Sequence, residues 1–337
     1  MSNIPPPAPK LADLPDTSLE DDANFDRGVQ QILRTFDDDS ASTNPAALLD
    51  DGALEDTSTT FGETNAQDMY ERNLALFNES IVDRPLVDMV IPISELRDEY
   101  KKPKFIEQID WLEEHGFHSI RRTRGDGDCF YRSFGFAFVE RLFHAVDTHE
   151  AVRRAIEVLD ATLPMFNAMA FDAISYEDSY NIFKELIRDI VGGDDGKITT
   201  EDSLVKTFQD LYDSNSIVYY LRLATAAQIQ LAPDDYAPFL TNQDIPNSEE
   251  TLEPQDFNAR FVIPLGKEAD DVQISALCRV FQMNVDIAYV DGREDIRDNA
   301  HKVRLVPFRS DIDEDAAPIS LLYRPGHYDI LVGKYHE

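Results

Sequence analysis

Residues 124–136 read RGDGDCFYRSFGF, and this stretch holds one of only two cysteines in 337 residues. Gly125 and Gly127 allow the backbone close approaches and positive φ. From Cys129 onward, CFYRSFGFAFVERLF (129–143) is apolar almost all round, with Phe130, Phe134, Phe136, Phe138, Val139, Leu142 and Phe143. A surface helix would show a polar face, so the pattern predicts a buried central helix that begins at the cysteine. A thiol at a helix N-terminus feels the positive end of the dipole and the unpaired first-turn N–H groups. Both favour a thiolate and can hold an oxyanion, which makes Cys129 a candidate nucleophile. Cys278 shares a helical face with Ile274, Leu277 and Phe281, the pattern of core packing.

Upstream of the loop, FHSIRRT (117–123) reads as a short strand, and SELRDEY (94–100) and FIEQIDWLEEHG (105–116) as helices, the second ending at Gly116. Pro85 marks a break after NAQDMYERNLALFNES (65–80), which carries a helical stripe of Met69, Tyr70, Leu74 and Phe77. Downstream, helical patterns run through AVRRAIEVLDATL (151–163), SYNIFKELIRDIV (179–191), EDSLVKTFQDLYD (201–213), SIVYYLRLATAAQIQ (216–230) and DDVQISALCRVFQ (270–282). Strand signals come late, at NVDIAYV (284–290), KVRLVPF (302–308), ISLLYR (319–324) and HYDILVG (327–333), the last two flanking the turn at Arg324-Pro325-Gly326. The class implied is α+β, a helical body with a small, mostly antiparallel C-terminal sheet.

Residues 1–63 are rich in Pro, Asp, Ser and Thr and read as a disordered acidic extension, with one helical-spaced island at 24–36. The folded domain is expected over 64–337. A net charge of −34 repels phosphate backbones and anionic lipid, so neither nucleic acid nor membrane is an expected partner. The charge keeps the chain soluble and also suits a basic partner. Two cysteines provide neither a disulfide framework nor the CxxC pairs of a zinc site. MSNIPPPAPK (1–10) lacks a signal-peptide pattern, so the cytoplasm, with the nucleus second, is the expected compartment. No metal or cofactor is expected. GDGD (125–128) fails as a calcium loop because Ala137 falls where the bidentate Glu belongs, and DDGKITTED (194–202) reads better as a loop ending in a Thr-capped helix.

A thiolate nucleophile needs a base, and His327 is the candidate among seven histidines. It starts a strand, and Asp329 follows at i+2 on the same face, where a carboxylate can orient the ring. The two segments, RRTRGDGDCFYRSFGF (121–136) and LLYRPGHYDILV (321–332), resemble the signatures of the otubains, deubiquitinating cysteine proteases of the ovarian-tumour superfamily. SIVYYLRLATAAQIQ (216–230) and KEADDVQISALCRVFQMNVDIAYV (267–290) resemble the middle segments of that family in order and spacing, so the likeness runs over roughly 64–335.

The resemblance implies a papain-like fold of the OTU type and a ubiquitin-specific thiol protease that hydrolyses isopeptide bonds after the ubiquitin C-terminal Gly-Gly. Cys129 would attack, His327 would act as base and then acid, and Asp329 would hold His327. Asp126 matches a loop aspartate often counted as a third catalytic member. Ubiquitin and polyubiquitin chains are the implied partners, with the proteasome-targeting linkage as the finer expectation. Ubiquitin-conjugating enzymes are a further implied partner class, contacted through a helix at 64–80. The alternative is a largely non-catalytic regulator that binds ubiquitin-charged conjugating enzymes and blocks chain synthesis. Two departures stand out. Asp128 replaces the usual asparagine: its charge is expected to oppose a thiolate while the helix dipole and an imidazolium push the other way, so activity is expected to survive in weakened form. Gly125 stands where proline is common, which implies a looser loop.

Overall fold

In the computed structural model, residues 84–333 are described apart from 194–195, 244–247, 249, 293–301 and 311–315. The expected acidic extension over 1–63, the island at 24–36 and the helix at 64–80 lie outside them. Gln243 and Ser248 aside, the described residues belong to one compact unit.

Among the described residues six strands form one sheet: β1 (Val87–Pro92), β2 (Phe117–Thr123), β3 (Val285–Tyr289), β4 (Arg304–Phe308), β5 (Ile319–Arg324) and β6 (His327–Gly333). Their order is β1-β2-β6-β5-β3-β4. All pairings are antiparallel except β3 with β5, which is parallel. The four late strands expected from β-branched and aromatic runs are present, as is 117–123. β1 was not legible: Pro85 suggested only a break, yet the residues just after it form an edge strand. SELRDEY lies mostly in a 3₁₀ helix, Ile93–Glu99, whose Ile93 and Leu96 are buried.

The helices are α1 (Pro103–Glu114), α2 (Cys129–Phe143), α3 (Thr148–Ala168), α4 (Ala173–Arg188), α5 (Glu201–Gln209), α6 (Leu211–Leu231) and α7 (Asp271–Val280), with short turns between α6 and α7. Proline opens α1 at its first position, where no N–H is needed, and Gly116 follows its end at φ +96°. The run 201–213, which reads as one helix, is two. Asp210 ends α5, and its carboxylate accepts from the amides of Tyr212 and Asp213 to cap α6. Thr200 caps α5 reciprocally with Ser203, as the Thr-capped reading of 194–202 implies.

Two cores flank the sheet. Phe105, Ile109, Trp111 and Leu112 of α1 pack on Ile120, Ala288, Leu322 and Leu331. Against the other face lies α2, where Phe130 meets Tyr328 of β6 edge-on with ring centroids 5.6 Å apart. Phe134 and Phe138 of α2 pack on Phe281, and Phe183 of α4 joins them. Burying each phenylalanine contributes roughly 1.5–3 kcal/mol. At Gly135 an added Cβ would stand 3.1 Å from Leu221 Cδ1, so the missing side chain lets α2 and α6 pack closely. A helix apolar all round is thus enclosed on every side, as its sequence requires, and its N-terminus is held in place.

Candidate active site

The β2–β6 pairing brings the two halves of the site together. In its antiparallel register Arg121 stands opposite Ile330. Thr123, two residues on, therefore reaches the start of β6, and the chain passes from there into the glycine loop. The pairing is locked by side chains: the Thr123 amide donates to Asp329 Oδ1 at 3.0 Å, and Thr123 Oγ1 donates to the Tyr328 carbonyl at 2.5 Å.

His327 and Asp329 share one face of β6. His327 Nε2–H donates to Asp329 Oδ1 at 2.8 Å, which leaves Nδ1 as the atom facing the nucleophile loop. A Cβ on Gly125 would come within 3.2 Å of that Nδ1, so the ring lies against the loop carrying Cys129. Nδ1 is buried. Burial pulls the His327 pKa down, but the Asp329 carboxylate and then Cys129 outweigh it and raise the pKa to about 10. Asp329 is fully buried. Burial pushes its carboxyl up, yet the imidazolium, the Arg324 guanidinium and the Thr123 amide hold it well below the usual carboxylate range. Cys129 is the first residue of α2 and is buried, 2% exposed.

Among the described residues Asp126 makes no hydrogen bond or ion pair with His327. Its Oδ1 accepts from the Asp128 amide at 3.1 Å and from Arg132 Nη1 at 2.7 Å. Arg132 is buried in α2 and also donates to Ser214 Oγ and Asn215 Oδ1. Asp126 thus ties the glycine loop to α2 and α6, while the imidazole is held by Asp329.

Two arginines, Arg222 fully buried and Arg324 partly buried, complete the surroundings, and neither was singled out in the sequence. Arg324 donates to Asp329 Oδ2 at 2.5 Å and to Glu99 Oε2 at 3.2 Å, and Glu99 also pairs with Arg122. Arg222, in the middle of α6, donates to Asp128 Oδ1 through Nε at 2.9 Å and through Nη2 at 2.5 Å. The Asp128 charge is therefore met by a guanidinium, which removes the basis for expecting it to act as an unopposed negative charge beside the thiol. A lone arginine inside the apolar run YYLRLATAA was the available signal, since such a residue must find a buried anion. Cys278 is fully buried, with its thiol pushed well up by desolvation, as its core pattern implied. Among the described residues no group of three or more His, Cys, Asp or Glu is placed to hold a metal.

A buried carboxylate, an imidazole oriented by it and a thiol at a helix N-terminus are the groups of a papain-like cysteine peptidase, and comparison with known proteins decides which kind. The family described as Peptidase C65, otubain, matches residues 79–333. The chain belongs to the otubain family. Among curated relatives, OVARIAN TUMOR DOMAIN-containing deubiquitinating enzyme 1 of Arabidopsis thaliana is 34% identical over 258 residues, covering 74% of this chain and 81% of the relative. Ubiquitin thioesterase OTUB1 of Homo sapiens is 32% identical over 255 residues, covering 75% and 85%. The solved h/ceOTUB1–ubiquitin aldehyde–UBC13~Ub complex contains a chain with a TM-score of 0.67 at 25% identity, covering 80% of this chain and 99% of that one. This otubain is accordingly a cysteine-type deubiquitinase with the papain-like OTU fold. Its helical body and mostly antiparallel sheet are those expected from the residue pattern.

Proposed function

We propose that Cys129 is the nucleophile, His327 the general base and acid, and Asp329 the residue that orients His327, with Asp126 holding the loop. The single observation that carries this reading is the His327 Nε2 to Asp329 Oδ1 hydrogen bond, which turns Nδ1 toward the Cys129 loop. A base raised to about 10 is an imidazolium at neutral pH and supports a thiolate beside it. The thiolate sulfur adds to the carbonyl carbon of the ubiquitin C-terminal glycine, and the C=O electron pair moves to oxygen. N–H groups at the start of α2 receive that oxyanion. Collapse re-forms the carbonyl and breaks the C–N bond, and His327 gives its proton to the departing lysine amine. Water, deprotonated by the now neutral His327, then hydrolyses the thioester and regenerates the thiol pair.

The substrates proposed are ubiquitin conjugates and polyubiquitin chains, with the proteasome-targeting linkage preferred. The acidic chain suits the arginines in the ubiquitin tail. We place this chemistry in the reducing cytoplasm and nucleus, where a free thiol persists; fractionation of cells expressing the tagged chain tests that. Incubation with di-ubiquitins of every linkage, wild type beside Cys129→Ala, tests the activity. Cleavage by wild type alone supports the thiol mechanism and reads out the linkage, and cleavage by both refutes it.

A second reading is favoured by one observation: the similar solved structures are complexes of OTUB1 with ubiquitin aldehyde and UBC13~Ub or UBCH5B~Ub. We propose ubiquitin-charged conjugating enzymes as a further partner class here. If the chain also restrains such enzymes, Cys129→Ala retains inhibition of chain synthesis while losing cleavage.

A further inference from the structure

Asp128 occupies the position that ordinarily caps a helix, yet it does not cap α2. Its φ and ψ are −102° and 1°, away from the extended conformation of a capping residue, and its side chain makes no hydrogen bond to the first turn. The carboxylate is drawn the other way. Oδ1 and Oδ2 both accept from the Gly266 amide at 3.0 Å, and Oδ1 accepts two bonds from Arg222.

The Arg222 guanidinium is fully buried and has further partners. Its Nη2 donates to the carbonyls of Gly127 at 3.1 Å and Lys267 at 2.5 Å, and Nη1 donates to the Val262 carbonyl at 2.9 Å. Its plane lies over the ring of Tyr131, in the first turn of α2, 4.3 Å from the centroid. One side chain from α6 thus grips the residue before the nucleophile, the first turn of its helix and the 262–267 segment opposite. The close approach depends on Gly127, where a Cβ would lie 2.2 Å from the Gly266 carbonyl oxygen.

We infer that Arg222 and Asp128 are positioning residues of the peptidase: the pair holds the Asp128 carboxylate off the start of α2 and ties the glycine loop, the first turn of α2 and the 262–267 segment together, and so keeps the first-turn N–H groups both free and in place for the oxyanion. This rests on Cys129 being the nucleophile. It follows that the Asp128 side chain, held by Arg222, supports the reaction and does not restrain it.

The test uses the full chain with Asp128→Ser, the double variant Asp128→Ala/Arg222→Met, and Asp128→Asn. Serine is short of Arg222 and is a strong capping residue. The double variant removes both buried charges together, so its fold is not left with one unpaired. Asparagine still presents an oxygen to Arg222. Three quantities are read: melting temperature, kcat and KM on ubiquitin–aminomethylcoumarin, and the rate of Cys129 alkylation by iodoacetamide, a displacement that develops no oxyanion. For both the serine and the double variant kcat falls by about tenfold to a hundredfold, the loss expected when an oxyanion donor is compromised. KM and the alkylation rate stay within about threefold of wild type, because neither reports an interaction made only in the transition state. The asparagine variant recovers most of the loss seen with serine. Wild-type kcat in the serine or double variant overturns the inference, as does a parallel fall of kcat and alkylation. Hydrolysis by Cys129→Ala would instead remove the reading on which the inference stands, so the two failures are told apart.

Discussion

Replacing Asp329 by Asn keeps the shape of the side chain and removes its charge. Asp329 accepts from His327 Nε2 at 2.8 Å, the Thr123 amide at 3.0 Å and Arg324 Nη2 at 2.5 Å. An amide can still accept the first two through Oδ1, but its NH₂ then faces the guanidinium, and the lost charge-assisted bond costs roughly 1.5–3 kcal/mol of stability. The effect on His327 is larger. Burial already pulls its pKa down, and only the neighbouring charges, Asp329 foremost, raise it from 6.5 to about 10. Without the carboxylate the ring falls toward or below its ordinary value, which at 1.36 kcal/mol per pH unit removes about 4–5 kcal/mol of imidazolium stabilisation. A loss of kcat/KM on the order of 10³- to 10⁴-fold at neutral pH is expected, with KM little changed. The pH profile gives the sharper readout. Activity through an imidazolium–thiolate pair fades as pH rises through the His327 pKa, so wild type keeps activity toward pH 10 and the variant loses it from near neutrality. Steady-state hydrolysis of ubiquitin–aminomethylcoumarin from pH 5 to 10.5 measures both. A variant within tenfold of wild type, with its alkaline limb unmoved, would refute the assignment of Asp329.

Three further outcomes follow from the same geometry. Asp126→Ala leaves Arg132, buried in α2, without one partner, and is expected to lower stability by roughly 1–3 kcal/mol and activity by about tenfold, leaving the alkaline limb where it was. Chemical denaturation and the same pH series check this against Asp329→Asn. Gly127→Ala combines φ +80° with a 2.2 Å approach to the Gly266 carbonyl, so it is expected to cost about 2–5 kcal/mol and to depress soluble yield. Stability itself has a sign that can be worked out. The folded-state pKa of His327 is raised, so its contribution is fully present below 6.5 and is lost as pH rises through about 10. Wild type should lose more stability than His327→Gln across that alkaline window in urea denaturation.

Cys129 and the helix it opens were the most legible features because they follow from local rules. A glycine-spaced cysteine opens an all-apolar helix, and such a helix can only be central. His327 and Asp329 were legible from strand period alone, since i and i+2 share a face. Their meeting with Cys129 is implied in the sequence only by the family resemblance, because it depends on the β2–β6 register, a pairing across about two hundred residues that no local pattern encodes. The same limit hid Arg222 and Arg324, whose roles exist only once Asp128 and Asp329 are buried beside them. Asp128 shows how a residue type misleads without its partner: read alone it is a negative charge near a thiol, and in the fold it is half of an ion pair. β1 escaped notice because Pro85 masked it, and an edge strand with exposed Met89 and Val90 lacks the burial that gives inner strands their pattern.

The central claim is that Cys129 forms the covalent bond to ubiquitin. The most direct measurement treats the full chain with ubiquitin carrying a C-terminal propargylamide, followed by intact-mass and peptide mapping. One ubiquitin per chain attached at Cys129, none at the buried Cys278, and no adduct with Cys129→Ala is the expected result. An adduct on Cys278, or turnover of ubiquitin–aminomethylcoumarin that survives in Cys129→Ala, would contradict it.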